Sequence, residues 1–218
     1  MTSSGTAEPF TRDGDPPVRG LLHRAPVTGD GLVLTHGAGS DARTPLLRAV
    51  AAAFVAEGTT VLCCDLPFRQ ARRTGPPSPA GAERDRRGLA AALEMIGALV
   101  APEGRRFVGG HSYGGRQASM LLAASPSHAH GLVLLSYPLH SPSKPDRPRT
   151  AHFPELRVPT LFVHGVRDPF GSIDEIEAAR ALIPAPTALV VVPRAAHALH
   201  ADSATAREVV ASFRRLVG

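Results

Sequence analysis

The chain has 218 residues, 43% of them hydrophobic and 20% charged, which is the size and balance of one globular domain and not of a disordered or fibrous protein. Its formal charge of +5 is carried almost wholly by arginine, because Lys144 is the only lysine. The arginines are scattered except around Arg69, Arg72, Arg73, Arg84, Arg86 and Arg87, a stretch without aromatic interleaving or a helix-turn-helix, zinc-finger or RNA-binding signature, so no nucleic-acid partner is expected.

The longest purely apolar run, Ala49 to Ala56, falls far short of the ~20 residues that cross a bilayer, and no membrane partner is expected. Residues Met1 to Pro17 lack the basic and apolar regions of a secretory signal. The cysteines, Cys63 and Cys64, are adjacent, and neighbours on a strand point to opposite faces, poorly placed to bond each other. A disulfide scaffold is excluded and a cytoplasmic location is expected. No Cys-x-x-Cys or His-Glu-x-x-His occurs, so neither a metal nor a cofactor is expected. No feature of the sequence specifies an oligomeric state.

In chain order, residues 1–16 are polar and rich in Gly, Pro and Asp, and are expected to be an unstructured lead-in, with one domain over 17–218. An early strand is expected at Val18 to Arg24. Gly31 to Thr35 reads as a buried strand leaving through His36-Gly37-Ala38-Gly39-Ser40. Asp41 to Glu57 has helical spacing, closed by Gly58. Thr59 to Cys64 is a second buried strand, followed by a Pro/Gly/Arg loop over Pro67 to Gly81 and a helix from Glu83 to Leu99. Arg106 to Gly110 is a strand running into Ser112 and a helix from Tyr113 to Ala124. Gly131 to Ser136 is a strand, and the proline-rich Pro138 to Pro159 an irregular loop or small cap. Thr160 to His164 is a strand, Ile173 to Leu182 a helix and Ala188 to Val192 a strand. The last helix starts near Asp202 or Ser203 and buries Val209, Val210, Phe213 and Leu216 at helical spacing.

Short apolar strands alternating with amphipathic helices predict an α/β fold with a mainly parallel central sheet covered on both faces. In such a sheet, functional residues occupy the loops at the carboxyl ends of the strands. Gly110-His111-Ser112-Tyr113-Gly114 matches G-x-S-x-G at a strand-to-helix junction, as a nucleophile elbow requires; otherwise it is a glycine-rich turn with a capping serine. His36-Gly37-Ala38-Gly39 also follows a strand. Its small residues let backbone approach a substrate, so Ala38 and Tyr113 are the expected N–H donors of an oxyanion hole; the plain alternative is a glycine turn.

Asp168, in Gly165-Val166-Arg167-Asp168-Pro169, lies at another strand end. The alternatives are a turn-initiating Asp-Pro, or Asp174 and Glu175 as the carboxylate, less suitably placed in a helix. His197 follows the next strand, flanked by small residues, with His200 its rival as the base. The chain order Ser, Asp, His is that of α/β-hydrolases. A serine at its free pKa is a poor nucleophile, so His197 is expected to accept the Ser112 proton and Asp168 to fix the imidazole tautomer. His36, Phe68, Tyr137 and Phe170 fall in strand-end loops and are candidates to line a substrate pocket or simply to pack those loops. Arg116, one turn into the elbow helix, reads as a cap or ion-pair residue or as a holder of an anionic substrate group.

The segments Thr35-His36-Gly37-Ala38-Gly39, Gly110-His111-Ser112-Tyr113-Gly114-Gly115-Arg116, Tyr137-Pro138-Leu139-His140 and Gly165-Val166-Arg167-Asp168-Pro169-Phe170-Gly171 carry a family resemblance. From about Gly31 onward the chain resembles the α/β-hydrolase superfamily. Within it, the chain resembles small bacterial dienelactone-hydrolase-like proteins, similar in turn to the hydrolase-like domain of a subunit of the nonspecific-lethal chromatin complex. The resemblance implies an α/β-hydrolase fold and a serine hydrolase acting on small-molecule esters or thioesters through an acyl-Ser112 intermediate. A scaffold that keeps the fold without catalysis is the other reading it permits. Authentic dienelactone hydrolases carry a cysteine where this chain has Ser112, and Cys63 and Cys64 lie on another strand. The shortness of the chain leaves no room for a large helical lid, so an open site taking small acyl groups is expected.

Overall fold

Successive residues of the central strands face opposite sides of one sheet. Val33 packs among Leu89, Leu93 and Leu122 on one side, whereas Leu32 and Leu34 join Leu47, Phe54 and Phe213 on the other. This double burial explains why these strands read as continuous apolar runs rather than as alternating ones. The structure, a computed structural model, describes residues 7–27 and 29–218.

Eight strands form the sheet: β1 (Glu8–Arg12), β2 (Val18–His23), β3 (Gly31–Thr35), β4 (Thr60–Cys64), β5 (Arg106–His111), β6 (Leu132–Leu135), β7 (Thr160–Gly165) and β8 (Thr187–Val192), in the spatial order β1-β2-β4-β3-β5-β6-β7-β8. The first two pair antiparallel, and β4 through β8 run parallel with β3. The helices are α1 (Pro45–Ala56), α2 (Pro67–Ala71), α3 (Ala82–Gly97), α4 (Tyr113–Ala124), α5 (Ile173–Arg180) and α6 (Ser203–Val217). Buried residues of α1 and α6 fill one face of the sheet, and those of α3, α4 and α5 the other. This is the α/β-hydrolase arrangement. Between β6 and β7 the ordered element is a single 3-10 turn, Phe153–Glu155, so no lid domain covers the sheet there. Among the described residues, no helix is long and apolar enough to cross a membrane.

Local chemistry sets the element ends. Thr44 accepts from Leu47 N–H to cap α1, and Gly58 takes a φ of 79° directly after it, as a helix-terminating glycine does. Helix α5 opens on a capping box in which Ser172 and Glu175 satisfy each other's backbone N–H groups. In α6, Val209, Val210 and Phe213 are buried as the spacing predicts, while Leu216 is half-buried.

Two expectations are corrected. Of the lead-in anticipated over residues 1–16, residues 1–6 lie outside the described residues, but Glu8–Arg12 is a strand paired with Val18–Leu22. It lies at the sheet edge with nearly every side chain exposed, so pairing is set by backbone hydrogen bonds and leaves no apolar pattern to read. The Pro/Gly/Arg loop also contains α2 and the 3-10 turn Pro79–Gly81, each opened by a proline at its first helical positions.

Candidate active site

Strand β5 ends at His111 and helix α4 begins at Tyr113, so the chain reverses at Ser112. Ser112 takes φ 50° and ψ −115°, strained for a non-glycine residue, which lifts its side chain off the end of the sheet. The helix must sit directly on the strands for this turn to close. A Cβ on Gly110 would lie 2.8 Å from the Gly115 nitrogen and the Thr35 oxygen, and one on Gly114 would lie 2.5 Å from the His36 oxygen. Both glycines of the pentapeptide are therefore demanded by close backbone approach.

The structure brings Ser112, Asp168 and His197 together from three loops at the carboxyl ends of β5, β7 and β8. His197 Nε2 lies 2.8 Å from Ser112 Oγ, and His197 Nδ1 lies 2.8 Å from Asp168 Oδ2 and 3.0 Å from Oδ1. The Asp168 side chain is fully buried and that of His197 is 23% exposed. Burial pushes the Asp168 carboxyl up, but the hydrogen bonds from His197 and the Phe170 N–H outweigh it and hold the group below the usual carboxylate range. Because a carboxylate only accepts, Nδ1 carries the hydrogen and Nε2 faces the hydroxyl as an acceptor. His200 is exposed, and the imidazole within hydrogen-bonding distance of Ser112 is that of His197.

The two loops that carry the acid and the histidine are tied to each other. Arg167 N–H donates to the Ala195 carbonyl at 2.8 Å, and a Cβ on Gly165 would come within 2.5 Å of that same oxygen. Left-handed residues bracket the histidine loop, Arg194 at φ 61° and Leu199 at φ 54°, and Leu199 is buried as its anchor. His111 adds a further tie, its Nε2 donating to the His197 carbonyl at 2.8 Å. Burial holds His111 below the ordinary histidine range, in keeping with a neutral donor.

Ala38 and Tyr113 line the same cavity as Ser112, a space of about 430 Å³. Tyr113 opens α4, so its backbone N–H has no acceptor within the helix and lies at the positive end of the helix dipole. Arg69 fixes the loop opposite. It is 8% exposed, and its guanidinium donates to the carbonyls of Ala38 at 2.7 Å, Ser40 at 2.9 Å and Gly75 at 3.1 Å. Asp85, fully buried, accepts from Phe68 N–H and from the Tyr113 hydroxyl at 2.8 Å, joining α3 to the elbow.

Of the four side chains expected to line the pocket, Phe170 does so, with its ring 4.2 Å from that of His197. His36 is fully buried: its Nδ1 donates to the Gly37 carbonyl and its Nε2 accepts from Leu66 N–H. Burial lowers its pKa, and this neutral imidazole braces the loop instead of meeting a substrate. Tyr137 is fully buried against Phe153 and Phe162, its hydroxyl bonded to the Arg149 carbonyl. Phe68 packs between His36 and Tyr113 and lines a separate cavity. Each stands near a strand end, but its side chain turns inward to pack the loops. Arg69, Asp85 and Arg149 belong to no catalytic motif, and His111 is a variable position of the pentapeptide, so the sequence pattern does not assign these polar residues to the site.

A serine at a strand-to-helix elbow, on a mainly parallel sheet whose next strand ends hold an acid and a histidine, defines the α/β hydrolases. Residues 29–216 match the family described as the alpha/beta hydrolase domain, and the chain belongs to that family. Its fold is shared with a dienelactone hydrolase from Anabaena variabilis, at 21% identity and a TM-score of 0.74 over 97% of this chain and 96% of that one. It is also similar to an α/β serine hydrolase without a lid from Xanthomonas campestris, at 17% identity and a TM-score of 0.73 over 99% of this chain and 96% of that one. A third is Est1E from Butyrivibrio proteoclasticus, at 15% identity and a TM-score of 0.74 over 95% of this chain and 99% of that one.

Proposed function

We propose that this hydrolase is serine-dependent and cleaves small carboxylic esters or thioesters through an acyl-Ser112 intermediate. The observation that carries the reading is the continuous line of hydrogen bonds from Ser112 Oγ through the His197 ring to Asp168.

In the first half-reaction, Ser112 Oγ attacks the substrate carbonyl carbon as His197 Nε2 takes its proton, and Asp168 stabilises the imidazolium. The N–H groups of Ala38 and Tyr113 receive the charge that develops on the carbonyl oxygen. As the tetrahedral intermediate collapses, His197 returns the proton to the leaving alcohol or thiol. Water then enters, loses a proton to His197 and attacks the acyl carbon; collapse releases the acid and restores the Ser112 hydroxyl. No cofactor takes part in these steps. The absence of a lid domain between β6 and β7 and the cavity of about 430 Å³ favour small acyl groups. Burial pushes both thiols up, that of Cys64 to about 12, so they are inert and compatible with the reducing cytoplasm we assign to the protein.

A panel of short-chain esters, thioesters and lactones tests the proposal, each measured with the wild type, Ser112→Ala and His197→Ala. Turnover that both variants abolish supports it. A wild type inert toward the whole panel, with a stable copurifying partner, would favour a hydrolase-fold scaffold instead.

A further inference from the structure

The wall of the cavity beside Ser112 carries two guanidinium groups with no carboxylate to neutralise them. Arg116 lies four residues after Ser112, its N–H bonded to the Ser112 carbonyl at 3.0 Å, and both residues line the cavity. Arg149 reaches the same cavity from the segment between β6 and β7. Among the described residues neither forms an ion pair, the buried Arg116 Nε has no hydrogen-bond partner, and the one hydrogen bond made by the Arg149 guanidinium is to the Pro138 carbonyl at 3.2 Å. Burial, and then the charge of Arg116, hold the Arg149 guanidinium below its ordinary range. Two cations facing one cavity without a counter-ion form an arrangement that an anion completes.

A second observation points to the same ligand. Gln117 also lines the cavity and is fully buried, yet its Nε2 has no hydrogen-bond partner. Its orientation is fixed, because Arg86 Nη1 donates to it at 3.0 Å and a guanidinium only donates. The atom facing Arg86 is therefore the amide oxygen, and the amino group is left over. A buried donor without an acceptor is destabilising. A ligand oxygen would remove that cost.

We propose that Arg116, Arg149 and Gln117 form an oxyanion-binding subsite beside Ser112, and that the substrates carry a carboxylate or phosphate a short chain away from the scissile ester. The specificity part of this inference rests on the serine-hydrolase reading above. The subsite itself does not.

Two substrate pairs test the specificity: monoethyl glutarate against diethyl glutarate, and 2-acetoxyethyl phosphate against its dimethyl ester. The wild type is expected to prefer at least one charged member by tenfold or more in kcat/KM, and the pair that shows the preference assigns the anion to carboxylate or phosphate. In Arg116→Gln/Arg149→Gln that preference should shrink to threefold or less. Neutral members cleaved as well as charged ones, or a preference that survives in the double variant, would overturn the proposal. Calorimetric titration of glutarate and of inorganic phosphate into Ser112→Ala tests the subsite without chemistry. Saturable binding of either that the two arginine substitutions remove supports it, and binding of neither overturns it. A wild type that cleaves no ester while its Ser112→Ala variant binds the anion would sink the hydrolase reading and leave the subsite standing.

Discussion

Arg69 and Ala38, far apart in sequence, are joined by a hydrogen bond of 2.7 Å from the guanidinium to the carbonyl. The same guanidinium holds Ser40 and Gly75, so one cation fixes the loop whose N–H is assigned to the oxyanion. An oxyanion donor stabilises the transition state more than the bound substrate. Arg69→Gln is therefore expected to lower kcat by roughly 10- to 100-fold with little change in KM, as loosening a donor does. Steady-state kinetics on a p-nitrophenyl ester check it; a kcat within twofold of wild type would deny Arg69 its positioning role.

The two histidines after β8 should behave very differently. His197 Nε2 is 2.8 Å from Ser112 Oγ, and His200 is exposed. His197→Ala is expected to lose roughly three or more orders of magnitude in kcat, as loss of a triad member does. His200→Ala should lose less than about tenfold, under about 1.4 kcal/mol of transition-state stabilisation. An exchange of these phenotypes would move the base to His200.

The elbow glycines give a stability test independent of activity. Gly114→Ala places a Cβ 2.5 Å from the His36 oxygen, while a Cβ on Gly39 meets nothing within 4 Å. Overpacking costs about 1–3 kcal/mol, so Gly114→Ala should lower Tm by roughly 3–10 °C. Gly39→Ala should stay within about 2 °C of wild type. Equal melting temperatures for the two variants in calorimetry would contradict the packing at the elbow.

The grouping of Ser112, Asp168 and His197 is legible in the sequence because its determinants are local: a sharp turn needs glycines, and each of the three follows an apolar strand. The substrate wall depends on side-chain direction, which tertiary packing decides. His36 and Tyr137 stand at strand ends as Phe170 does, but a backbone carbonyl claims His36 Nδ1 and an aromatic cluster claims Tyr137. Arg69 lay hidden among its neighbouring arginines, since nothing local distinguishes a guanidinium that caps carbonyls from one in solvent. Strand β1 escaped because an exposed edge strand carries no apolar alternation.

Acid should destabilise the fold through its buried histidines. Burial, the leading cause in each case, lowers the pKa of His23, His36, His111 and His164, and takes His152 to about 4 with help from Arg116. Their unfolded value is about 6.5, so between that pH and each folded value the unfolded chain binds more protons. Stability is thus full above about pH 6.5 and falls as the pH drops, for His152 down to about pH 4. Urea midpoints should decline from pH 7.5 to 4.5, and less steeply in His152→Gln. Identical slopes would mean that His152 titrates normally in the folded state.

The proposed chemistry depends on the nucleophilicity of Ser112, activated by His197. Its most direct test is mass spectrometry of the native protein after incubation with a fluorophosphonate. One adduct is expected, on the peptide containing Ser112, with none in Ser112→Ala and labelling slowed by orders of magnitude in His197→Ala. A folded wild type that stays unlabelled, or an adduct on another serine, would contradict the assignment.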